Sequence, residues 1–109
     1  MLVGYYFVKG DASTQYSPTF PRGGLSATFV VQVLQLVGSP TLTVTVEHKN
    51  IEDTSWTTAG TFSAITTVSV AKLDVSSLKE QIRFGYAITA TNAWEGVLMN
   101  VLAPAWRPY

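Results

Sequence analysis

Between Leu42 and His48 the chain alternates without a break: Leu42, Val44 and Val46 share one side, Thr43, Thr45 and Glu47 the other. A period of two marks a half-buried β-strand, because successive side chains leave opposite faces of the pleat. Ile82, Phe84, Tyr86 and Ile88 alternate with Arg83, Gly85, Ala87 and Thr89 in the same way. With 109 residues, a single domain over 1–109 is expected. The expected fold class is all-β: an antiparallel β-sandwich or jelly-roll of about seven to eight strands.

The stretch after Glu47 carries polar turn formers and then Trp56, Thr57 and Thr58. It predicts a hairpin whose loop runs from about Lys49 to Thr54, with Trp56 packing the hairpin or core at the start of the return strand. Phe62 to Val70 is expected as a further strand, with Val68 and Val70 inward and Ser69 outward. Ser77-Leu78-Lys79-Glu80 fits a capping box and predicts one helical turn before the strand at Gln81.

Three segments carry apolar residues on both faces: Tyr5 to Val8, Phe29 to Val37 and Val97 to Leu102. In the middle one, Phe29, Val31 and Val33 oppose Val30, Leu34 and Leu36. Such strands are either central and covered twice, or covered by another subunit. A two-layer sandwich covers each sheet on one face only, which favours the second explanation.

Two segments read as arms. Lys9 to Leu25 holds Pro18, Pro21, Gly10, Gly23 and Gly24, and it is long for a loop in a compact domain. The tail 103–109 contains Pro104 and Pro108, which lack the amide donors of a central strand. A solvated tail is usually polar, yet this one carries Trp106, Arg107 and Tyr109. It is expected to dock on a partner. Tyr16 and Phe20 in the first arm are its expected companions, and Trp94, in a loop around residues 91–96, is expected either to contact a partner or ligand or to pack its own loop.

Charged residues make up 13% of the chain, about half the ~25% usual in soluble domains. Seven basic and seven acidic residues cancel, a balance that favours self-association and lacks the basic stripe of a nucleic-acid binder. No apolar run approaches the ~18 residues of a membrane helix, so neither nucleic acid nor a membrane is an expected partner. There is no cysteine, so disulfides and thiolate chemistry are excluded. The single His48 continues the inward face of a strand, where a local hydrogen bond is expected. Glu52 and Asp53 are adjacent but no calcium-loop pattern surrounds them, and no phosphate cradle or G-x-S-x-G elbow occurs. The expectation is a non-enzyme without cofactor or metal.

The segments VTVEHKN-IEDTSWTTAGTF and LKEQIRFGYAI show a strand, a polar Asn/Asp loop and a Trp opening the return strand. Discoidin-like sugar-binding modules are similar in that hairpin. In size, cysteine-free all-β composition, Pro/Gly-rich arm and aromatic tail, the chain resembles small virion proteins of tailed bacteriophages, notably capsid decoration and other minor structural subunits. The resemblance implies a virion location and symmetric assembly with sibling copies and a capsid or other virion protein. A tail or adaptor role in the same particle and a glycan-binding module using Trp94 are the alternatives.

Overall fold

The computed structural model describes the backbone of residues 2–9 and the full residues 15–89, 94–102 and 104–107. All regular structure among them is β. The strands are β1 (Leu2–Lys9), β2 (Gln15–Tyr16), β3 (Phe20–Pro21), β4 (Ser26–Val37), β5 (Thr41–Lys49), β6 (Thr57–Thr61), β7 (Val70–Val75), β8 (Gln81–Thr89), β9 (Gly96–Leu102) and β10 (Ala105–Arg107).

They form two antiparallel sheets. The first runs β1-β9-β4, with β10 and β7 also paired to β4; the second runs β2-β8-β5-β6, with β3 also on β8. Taking β2 with β3 and β9 with β10 leaves eight strand positions. Their ladders are nested: β1 with β9, β2 and β3 with β8, β4 with β7, β5 with β6. A long hairpin of paired strands rolled over itself has this order, so the sandwich is a jelly-roll.

The inward faces fill the core. Leu42, Val44 and Val46 of β5 meet Ile82, Phe84 and Tyr86 of β8, with Phe29, Val31 and Val33 of β4 and Val97, Met99 and Val101 of β9 opposite. The alternation expected for β5 and β8 is therefore the alternation observed. The side chains of Tyr5 to Val8, expected to be apolar on both faces, lie outside the described residues.

Elsewhere the structure differs from the sequence expectation, each time for a physical reason. In β4 the register jumps between Val33 and Gln35, which leaves Leu34 as a bulge. A bulge inserts one residue and reverses the phase of the residues beyond it. Leu36 thus pairs with Val97 and packs against the core, rather than facing the side of Val30. The strand expected at Phe62–Val70 is two edges in succession. Phe62 and Ile65 stay bonded to β5, and the chain then crosses to the first sheet. There Ala71, Leu73 and Val75 turn inward, which leaves Val68 61% and Val70 55% exposed. A one-residue change of phase flips a whole strand. No helical turn forms at Ser77–Glu80, where Ser77 has φ of +57°.

The two arms are, in their described parts, sheet elements of the same chain. Gln15–Tyr16 pairs with Gly85–Tyr86, and Phe20–Pro21 with Gln81–Ile82. Between them buried Ser17 donates its N–H to the Phe84 carbonyl (2.8 Å), and its Oγ accepts the Phe84 N–H (2.8 Å). In the tail, Ala105–Arg107 pairs with Ser26–Thr28. Pro104 sits between β9 and β10, where the ladder is already interrupted, so its missing donor removes nothing.

Candidate interaction surfaces

Trp106 registers with fully buried Ala27 and so faces inward. Its ring meets Phe20 (6.5 Å between centroids, 69°) and Phe29 (6.2 Å, 79°) edge-on. Phe20 in turn stacks on Phe84 at 5.9 Å. Gly23 lies against the indole so closely that a Cβ there would come 2.7 Å from it, and one on Gly24 would strike the Arg107 carbonyl. Arg107 donates to Thr28 Oγ1 at 2.8 Å and lies 3.8 Å from Asp74, to which Thr28 also donates. Phe20 and Trp106, expected with Arg107 as partner anchors, pack against the core of their own sandwich and stay partly exposed, while Arg107 is tied to Thr28 and Asp74. The arm and the tail find each other.

Tyr16 belongs to a different cluster, on the outer face of the second sheet. Arg83 lies between two rings, with its guanidinium carbon 3.8 Å from the Tyr16 centroid and 4.4 Å from that of Trp56. Its Nε donates to Glu47 Oε1 at 2.7 Å, across the β5–β8 register pair. Cation–π contact and ion pair both act on one cation. Tyr16 remains 46% exposed and roofs Gly85, which has no side chain to displace the ring. Trp56 is half-buried on this face instead of in the core. The outward positions of Glu47 and Arg83 were readable from alternation; that they oppose each other is a fact of register.

At one end of the sandwich the β5–β6 and β7–β8 loops are cross-tied. Asp53 Oδ2 accepts the Asn50 N–H (2.9 Å), Glu80 Oε1 accepts the Ile51 N–H (3.1 Å), and Lys79 reaches Asp53 at 3.8 Å. His48 Nδ1 accepts the Lys79 N–H at 3.2 Å, so the bond it makes runs to the β7–β8 loop and is not the local one expected. Burial, with Lys79 nearby as a smaller cause, lowers the His48 pKa below its ordinary value. The unfolded chain therefore takes up a proton first as pH falls. Stability contributed by neutral His48 is present above about pH 6.5 and declines as pH drops from there through the folded value. Urea unfolding at pH 8 and pH 5 measures that decline, and a His48→Gln variant is expected to flatten it.

At the opposite end, Gly38 turns β4 into β5 with φ of +80°. The Glu95 carboxylate, 4% exposed, accepts the Ser39 N–H there at 2.7 Å. Beside this clamp Trp94 is 65% exposed. Of the expected contact residues it is the most exposed one described; Tyr109 lies outside the described residues.

The outer face of the first sheet carries apolar side chains around the polar pair Gln32 and Asn100, beside Thr28, Lys72 and Asp74. Asn100 registers with Gln32, and Gln32 with Val70, while Val30, Leu98 and Leu102 flank that row, half-buried. Asn100 donates to Gln32 Oε1 at 3.5 Å, and its own carbonyl oxygen is buried with no hydrogen-bond partner among the described residues. A buried acceptor left without a donor is costly. Among the described residues no group of three or more His, Asp or Glu converges as a metal-binding set. No protein-family model, curated protein or solved structure matches the chain.

Proposed function

We propose that the chain is a non-enzymatic structural subunit of a virion, a capsid-associated decoration or minor structural protein that acts through contacts with sibling copies and a capsid protein. The observation that carries this reading is the outer face of the first sheet, where exposed Val70 stands beside half-buried Val30, Leu98 and Leu102. Apolar side chains left facing outward on a sheet suit a surface completed by another protein, which would remove them from water. The jelly-roll topology supports the reading, being common in capsid proteins. Low charge with zero formal net charge supports it too.

Lectins also use this fold, and Trp94, at 65% exposed, is the residue a sugar ring would stack on. The two readings separate by experiment. Light scattering of the purified protein and mass spectrometry of virus particles from the source culture are expected to give an oligomer and a stoichiometric virion component. A monomer absent from particles that binds immobilised glycans, and loses that binding in Trp94→Ala, would overturn the assembly reading.

A further inference from the structure

Among the described residues β7 is an edge strand of the first sheet, opposite β1, and carries one ladder, to β4. Val33 donates its N–H to the Ser69 carbonyl at 2.8 Å. Continued along the register, this turns the peptide groups of Ala71, Leu73 and Val75 toward β4. In an antiparallel ladder the N–H and C=O of one residue point to the same side and alternate along the strand. Those of Val70, Lys72 and Asp74 therefore point away from β4, along the edge. Their side chains, all exposed, stand on the outer face.

Edges of this kind are normally blunted by proline, a bulge or a lysine. β7 has no proline and its register is unbroken. Its lysine, Lys72, is followed two residues later by Asp74, and that spacing makes the edge complementary to itself. Turned by a two-fold axis through Leu73, a second β7 sets Lys72 against Asp74 of the other copy and Asp74 against its Lys72. These are the residues whose peptide groups point outward, so each opposed pair can exchange both backbone hydrogen bonds. Centring on Lys72 or Asp74 would oppose like charges, which is unfavourable. Asp74 is shared with Thr28 and Arg107, yet its side chain is 77% exposed and open to a second cation.

We propose that β7 pairs antiparallel with β7 of a second copy, centred on Leu73, and joins the two first sheets into one continuous sheet across a two-fold axis. This names the sibling contact of the assembly reading and rests on it. An isologous contact of this kind closes on itself as a dimer.

Sedimentation equilibrium tests the pairing. Lys72→Glu sets a carboxylate against Asp74 twice and is expected to raise the dimer dissociation constant about tenfold. Lys72→Pro removes an N–H that β4 does not use, so the monomer's own ladder survives at an edge position that tolerates proline. It is expected to leave only monomer. Hydrogen exchange on the unmodified protein adds a readout free of substitution, with slower exchange at Lys72 and Asp74 as concentration rises. If Lys72→Pro associates as the parent does, the β7 pairing is wrong and assembly must use another surface. If the parent stays monomeric up to about 1 mM, where any contact is worth only about 4 kcal/mol, the pairing falls and the sibling-contact part of the proposed function falls with it.

Discussion

Replacing Trp106 by alanine is expected to destabilise the folded chain by about 3 kcal/mol, a cost in the usual range for deleting a packed indole. The ring is wedged between Phe20 and Phe29 and overlaid by Gly23. Nothing nearby can collapse into the space, because Ala27 and Gly23 are already small and the backbone of β10 is fixed by its ladder to β4. The loss should spread: with the indole gone, Phe20 keeps its stacking on Phe84 but loses its other neighbour. Guanidinium unfolding monitored by fluorescence reads the effect, with a lowered midpoint at unchanged slope. Unchanged stability with lost association would instead return Trp106 to the intermolecular role that its place in the sequence suggested.

Phe84→Ala is expected to cost more, about 4 kcal/mol. Phe84 is fully buried at the centre of an aromatic chain, 5.6 Å from Phe29 edge-on and 5.9 Å from Phe20. It therefore joins both sheets to the docked arm. A domain of this size has about 5–15 kcal/mol in total, so the variant should sit close to unfolding at ambient temperature. Thermal unfolding measures this directly. Adding Phe20→Ala should cost less in the Phe84→Ala background than in the parent, since the two rings share a contact and their effects are not additive. Equal costs would mean that Phe20 rests on the surface without being part of the core.

How far these features were visible in the chain depended on how local the signal was. β5 and β8 alternate cleanly because they pair with each other along their whole lengths and neither carries a bulge in that shared register. β4 looked two-faced because its bulge at Leu34 changes phase, and no residue type announces a bulge. The arm and the tail were misleading for a related reason. Proline and glycine suggested segments outside any sheet, yet Pro21 sits in a two-residue edge strand and Pro104 in a gap between strands. Glycines 23 and 24 mark where another segment presses close. That segment is Trp106–Arg107, far along the chain. The aromatic residues of the candidate site were visible individually, and their exposure was not. The Tyr16–Arg83–Trp56 stack unites residues from β2, β8 and the loop before β6, and only the sheet order brings them together.

The nested order of the ladders also sets when the molecule can form. β1 has its one described ladder with β9, residues 96–102. On the ribosome it emerges before every other strand of the sandwich and then waits through seven of them before its neighbour exists. Contacts between residues so far apart make for slow folding, and an unpaired apolar strand is hazardous in the meantime. Synthesis of this protein therefore leaves Leu2–Lys9 in need of shelter until the last strands arrive, and any nascent chain stalled before residue 96 has no means of closing its first sheet.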